Sequence, residues 1–158
     1  MNVFAAKAGP ADSVAGEGRF SPGFVLPSLS RLVTQPMIDA YAEASGDFNP
    51  IHVDPDYART GPFGRTIAHG MLTLAFAAQM LNEWSSGAFD ASGEIDIAFV
   101  GPVFAGDTIE LSGVVEEIVE REGRMVARCA ISCRAGERQI LVGTVHQSPN
   151  RRKSDHGA

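Results

Sequence analysis

Asp47 and His52 stand five residues apart, with Phe48-Asn49-Pro50-Ile51 between them. An ionised carboxylate can take a proton from water, and histidine, whose ordinary pKa lies nearest neutrality, can both give and accept one. Straight helical or strand geometry does not guarantee that side chains at this spacing face one cavity. An Asn-Pro turn that reverses the chain does bring them together. Spacing alone leaves two roles open: a proton-transfer pair, or an Asp–His hydrogen bond that only staples a loop. His69-Gly70-Met71 adds a second element, because it opens a run of helix formers. Amides at a helix start point outward without intrahelical partners and carry partial positive charge, so Gly70 could present its N–H to a carbonyl oxygen that becomes negative during reaction. Gly70 could equally serve as a cap or a packing residue, and His69 either braces the loop or carries a proton.

The elements that must position these residues follow from periodicity. After an extended stretch from Phe24 to Val33, Thr34 caps a short helix with Pro36 in its first turn, Met37, Ile38, Tyr41 and Ala42 on one face, and Gly46 at its end. Residues 47–64 contain three prolines, two glycines and three aspartates, and read as a long irregular loop of the functional kind. From Gly70 to about Trp84 the apolar residues cover most of a helix's circumference, so this helix must be enclosed by something else. The enclosure is supplied by Glu94 to Val100, Asp107 to Val119, Arg124 to Arg134 and Arg138 to Gln147, which alternate in period two. In the third of these Met125, Ala127, Cys129, Ile131 and Cys133 form the inward set. Short turns join the last three strands into an antiparallel meander, giving an α+β layout with a curved sheet around a central helix. The edges of such a sheet, and the small size of one subunit, call for a dimer that pairs edge strands.

Length and composition bound the function. A chain of 158 residues with 44 % hydrophobic and 20 % charged residues makes one domain with a real core. The expected organisation is a flexible tail over 1–20, a domain over 21–147 and a polar tail over 148–158. Arg151-Arg152-Lys153 in that last tail reads as solubilising charge. A net charge of −6 leaves no basic field for a nucleic-acid backbone. The longest apolar stretch, within Met71 to Leu81, is shorter than the ~20 residues that cross a bilayer. Met1 to Pro10 lacks the apolar block of a signal peptide, so a cytoplasmic protein is expected, with neither membrane nor nucleic acid as partner. Cys129 and Cys133, four residues apart on a strand, would lie roughly 13 Å apart. That separation rules out a disulfide and disfavours a two-cysteine metal clamp, leaving buried thiols.

The stretch from Ala44 to Asp54, then Tyr57-Ala58, Phe63-Gly64 and Ile67-Ala68-His69-Gly70-Met71, resembles the MaoC-like family of (R)-specific enoyl-CoA hydratases and dehydratases. The resemblance combines the motif around Asp47, Asn49, Pro50 and His52 with the helix-start signature Ala68-His69-Gly70-Met71, and the element order continues to about Val145. It implies a hot-dog fold, at least dimeric, acting on 2-enoyl thioesters or their (R)-3-hydroxy counterparts. By that resemblance Asp47 and His52 are the catalytic dyad, the Gly70 amide is the oxyanion donor, and Asn49 orders the dyad; His69 and Met71 are expected beside the substrate. Some members carry a serine farther along the central helix, where this chain reads Leu74-Ala75-Phe76-Ala77-Ala78. No metal or redox cofactor is expected: the histidines form no evident ligand cluster, no glycine loop cradles phosphate, and hydration transfers no electrons. Coenzyme A enters as part of the substrate. Its phosphates need local basic groups in an acidic protein, for which Arg59 and Arg65 are candidates, and an acidic carrier protein suits the net charge less well. A hot-dog acyl-CoA thioesterase and a non-catalytic acyl-CoA-binding module are the alternatives.

Overall fold

Period-two alternation becomes strand wherever one face can be buried, and the later half of the chain does this almost without interruption. The computed structural model describes residues 18–149. Its strands are β1 (Leu29–Leu32), β2 (Glu94–Phe99), β3 (Thr108–Arg121), β4 (Arg124–Ala135) and β5 (Arg138–Gln147). They form one sheet in the order β1-β3-β4-β5-β2, antiparallel at every pairing. Ile109, Leu111 and Val115 of β3 face the core, as do Cys129, Ile131 and Cys133 of β4 and Leu141 and Val145 of β5. Between Val115 and Glu117 the register shifts, so Glu116 bulges, and Arg128 reaches both carboxylates, at 2.6 Å to Glu116 and 3.2 Å to Glu117. Met125, expected inward, is 54 % exposed, because it sits in the β3–β4 hairpin end beyond that bulge.

The helices are α1 (Gln35–Ser45), α2 (Pro50–Val53), α3 (Pro55–Arg59), α4 (Gly70–Ser85) and α5 (Phe89–Ser92). The central helix α4 lies against the sheet through Leu72, Thr73, Ala77, Met80, Leu81 and Trp84, a stripe at i, i+3 and i+4 spacing. It is not enclosed all round as its composition implies. Met71 is 55 % exposed, Ala75 and Gln79 are exposed, and Leu74, Phe76 and Ala78 are half-buried. A single five-stranded sheet covers one side of a helix, and the stripe at Met71, Ala75 and Gln79 is left over.

The irregular stretch 47–64 contains order that composition hides. Asn49 and Asp54 each cap a short helix whose first residue is a proline, α2 and α3. An Asn-Pro or Asp-Pro pair is a helix start as readily as a turn, since proline's missing N–H and fixed φ suit the first helical position. The domain also begins before residue 21. Gly18–Phe20 forms a turn of 3-10 helix, Phe20 is buried with its ring 4.8 Å from that of Trp84, and Trp84 Nε1 donates to Arg19 O at 2.8 Å. Residues 1–17 and 150–158 of the expected tails, with Arg151-Arg152-Lys153, lie outside the described residues. Among the described residues no helix is long and apolar enough to cross a membrane.

Gly143 on β5 faces Ile97 of β2, and a Cβ there would lie 2.2 Å from Asp96 O and 2.8 Å from Ile97 Cα. Gly143→Ala must push the β2 edge strand away, and should lower the unfolding free energy by about 2 kcal/mol in a urea titration, within the usual range for overpacking. Cys129 and Cys133 are buried free thiols, and burial pushes both up to about 12. The raised thiols should resist a disulfide reagent at pH 8 until the chain is unfolded. The stability they contribute should be complete below the ordinary thiol value of 9.0 and be lost progressively as pH rises from there toward about 12. Labelling of the native protein within seconds would contradict this.

Candidate active site

A relay of caps carries the chain from α1 into the site. Thr34 caps α1, accepting from Met37 N, and Gly46 ends it at φ 75°, a left-handed conformation that suits glycine, while its N–H donates to Ala42 O. Ser45 Oγ donates to Tyr41 O at 2.7 Å and accepts from Asp47 N at 3.3 Å. Asp47 Oδ1 then accepts from Asn49 N at 3.2 Å, and Asn49 Oδ1 from Ile51 N at 3.2 Å. Each short polar side chain thus fixes the backbone two residues on, which is how Asp47 and His52 come to face each other.

His52 Nε2 lies 3.9 Å from Asp47 Oδ2, too far for a direct hydrogen bond. An oxygen atom about 2.8 Å from each can bond both. His52 is buried, at 8 % exposure, and its Nδ1 donates to Ile67 O at 2.7 Å. A carbonyl can only accept, so Nδ1 carries the hydrogen and Nε2 is the position at which His52 gains or loses a proton. The Asp47 side chain is 54 % exposed and open to a small molecule.

His69 sits behind this pair. It is 3 % exposed, its ring stacks on His52 with centroids 3.8 Å apart, and Tyr41 packs against it at 4.9 Å. Its Nε2 donates to Asp47 O at 2.9 Å, while Nδ1 is buried without a partner. His69 therefore braces the Asp47 backbone; it is not at a surface where a substrate would touch it. Asp47, His52 and His69 offer ligand atoms within 4.8 Å of one another, a cluster that linear spacing did not reveal. With His69 Nε2 donating to Asp47 O, the His69 nitrogen that lies 4.0 Å from the Asp47 carboxylate is not free to bind a metal.

Gly70 is the first residue of α4 and is exposed, with an N–H that has no acceptor within the helix. A Cβ at this position would meet the Phe99 ring at 3.3 Å, so glycine is what leaves room before the amide. A groove of about 420 Å³ runs from Gly70 past Thr73, Phe99, Val103, Ile67 and Phe63, mostly apolar in lining. The other expected contacts are dispersed. Met71 is exposed beside Gly70, Arg65 is exposed over the Phe104 ring, and Arg59 pairs with Asp56 at 2.6 Å within its own short helix.

Three residues escape the sequence reading. Gln35 Nε2 donates to His52 O at 2.9 Å and to Asp39 Oδ1 at 2.8 Å, and Gln35 Oε1 accepts from the buried Thr66 hydroxyl at 2.7 Å. They tie α1, α2 and the segment before α4 together behind His52. Thr73 is likewise buried against the groove and was hidden by its apolar neighbours.

The arrangement pairs an acceptor carboxylate and an imidazole across a gap of one oxygen; neither residue lines the apolar groove, and the pair is tied to it through Ile67, whose O holds His52, and through His69, which stacks on His52 and precedes Gly70. Comparison with known proteins bears on it. Residues 24–132 match the model of the MaoC like domain. A 3-hydroxybutyryl-CoA dehydratase of Methylorubrum extorquens is 31 % identical over 115 residues, 73 % of this chain and 72 % of that one. A mitochondrial 3-hydroxyacyl-[acyl-carrier-protein] dehydratase of Arabidopsis thaliana is 32 % identical over 132 residues, covering 82 % of this chain and 76 % of its own. Among solved structures, the (R)-hydratase of A. caviae involved in PHA biosynthesis superposes with a TM-score of 0.68 at 28 % identity, over 88 % of this chain and all of that one. The α+β hot-dog layout expected above is the fold these chains share. A domain match across most of the described residues, joined to relatives of this coverage, shows that the chain belongs to the MaoC-like family.

Proposed function

We propose that the protein is a hydro-lyase that adds water reversibly to a trans-2-enoyl-CoA, giving the (R)-3-hydroxyacyl-CoA, or dehydrates the latter. The observation that carries this reading is the 3.9 Å gap between Asp47 Oδ2 and His52 Nε2, with Nδ1 of the same imidazole held by Ile67 O. Water in the gap donates to the carboxylate and meets Nε2. An ionised carboxylate only accepts, so Asp47 removes the water proton as the oxygen bonds to the β-carbon. In this scheme His52 enters protonated on both nitrogens; Nε2 gives its proton to the α-carbon, leaving the Nδ1–H form held by Ile67 O, and transfer of the water-derived proton from the Asp47 carboxyl to Nε2 resets the pair. The enolate charge that builds on the thioester oxygen is met by the Gly70 N–H; loss of one such donor costs ~3 kcal/mol in other enzymes. Asn49 and His69 hold the Asp47 side chain and backbone, while Met71 flanks the thioester. No step needs an electron acceptor or a metal.

The uncovered stripe of α4 and the exposed Phe99 and Val100 at the end of edge strand β2 suit a second copy of the chain. A homodimer, in the cytoplasm where the free thiols remain reduced, is the form we assign to it.

Incubation with crotonyl-CoA should consume the enoyl absorbance and yield hydroxyacyl product; release of free thiol without that product would instead identify a thioesterase. Asp47→Asn and His52→Asn should each lower kcat by 10²- to 10⁴-fold, roughly the range for loss of a general acid or base. The asparagine at 52 can still donate toward Ile67 O, so these variants should melt near the native temperature. Activity retained in both would remove the pair from the mechanism. Nitrogen NMR above the histidine titration range should find His52 protonated on Nδ1 and His69 on Nε2, and the opposite tautomers would contradict the proton path.

A further inference from the structure

Every arginine among the described residues donates to a protein acceptor except two, Arg65 and Arg124. In a chain of net charge −6 an unpaired guanidinium is conspicuous. Arg124 stands at the β3–β4 turn, beside a separate cavity of about 230 Å³ with Arg121 and His146. Arg65 stands at the rim of the site. The residues around it in the chain, Phe63 and Ile67, line the groove, as does Val103, which precedes Phe104. Its guanidinium carbon lies 4.1 Å from the centroid of the Phe104 ring.

That ring is itself fixed. Phe104 N donates to Asp107 Oδ2 at 2.8 Å, Phe104 bridges to Ile67, and Ala68 N donates to Val103 O at 2.7 Å. Arg138 lies 4.6 Å from the same ring, but Asp107 pairs with it and offsets its charge. The cationic contribution of this cluster to an incoming ligand therefore falls to Arg65. Stacking on an aromatic ring restrains the guanidinium, keeps its N–H edge in solvent, and leaves its other face open. Such a group binds phosphate in bidentate fashion by its edge and can stack a planar base on its free face.

We infer that Arg65, seated on Phe104, is the subsite for the nucleotide end of coenzyme A, its phosphates on the guanidinium edge and its adenine on the open face. The inference rests on the thioester reading above and deepens it by naming the handle. Charge complementarity selects the occupant, because a free phosphorylated nucleotide brings its anions to one unpaired cation, whereas an acidic carrier protein would meet the whole negative field of the domain.

Calorimetric titration of coenzyme A and of pantetheine, which lacks both phosphates and base, tests this on the full chain. Arg65→Gln should weaken coenzyme A about tenfold or more, the usual scale for a charge-assisted hydrogen bond, and reduce the preference for coenzyme A over pantetheine by the same factor. Arg124→Gln, the other unpaired arginine, should bind coenzyme A as the native protein does. In turnover, Arg65→Gln should lower the ratio of kcat/KM for crotonyl-CoA to that for the crotonyl thioester of N-acetylcysteamine about tenfold. The subsite is overturned if the native protein does not bind coenzyme A, if Arg65→Gln binds it equally well, if Arg124→Gln loses as much, or if only a carrier-protein thioester responds to Arg65. Arg65-dependent binding of coenzyme A without hydration of any enoyl thioester would strike the reaction and leave the subsite standing. Hydration indifferent to Arg65 would do the reverse.

Discussion

Two backbone carbonyls, those of Ile67 and Asp47, each capture one nitrogen of one histidine, and the chemistry of the site depends on those captures. Imidazole has two nitrogens that exchange roles freely in water. Fixing Nδ1 of His52 on Ile67 O turns Nε2 toward the Asp47 carboxylate, and fixing Nε2 of His69 on Asp47 O holds that carboxylate's own backbone in place. The rings stack at 3.8 Å, so neither can swing without displacing the other. Polar side chains fix the backbone around these captures: Ser45 accepts from Asp47 N, Asn49 accepts from Ile51 N, and Gln35 donates to His52 O.

The fold serves this by offering one fixed end of a helix. Helix α4 is held along its length by the sheet, through Ala77, Met80, Leu81 and Trp84, and its start is thereby presented at a defined height beside the loop that carries the pair. Burial of that stripe is the source of rigidity, and the start of the helix leaves Gly70 and its N–H exposed. The segment from Gly61 to His69 links the two, joining the groove to the imidazole through Ile67.

How much of this was legible in the sequence depended on distance along the chain. Helix α1 from its Thr34 cap to Gly46, helix α4 from Gly70, and the three-strand meander were read nearly to the residue because caps, periodicity and turns are local signals. The proximity of Asp47 and His52 was legible as a possibility, and the structure supplies the separation and the tautomer. Gln35 and Thr66 could not be found, since a glutamine and a threonine acquire meaning only when folding places them against His52, 17 residues from Gln35, and against each other across 31. Helices α2 and α3 were hidden because proline after Asn or Asp signals two outcomes. The exposure of Met71 and Ala75 was missed because composition reports what a helix would bury, not how much sheet one chain has to cover it.

Phe99 closes the edge strand β2, and its ring fills the space where a side chain at position 70 would stand. The berth in front of the helix-start amide is thus walled by the rim of the sheet, where Phe99 and Val100 are exposed. A change at Phe99 therefore alters the rim of the sheet and the space before the Gly70 amide together.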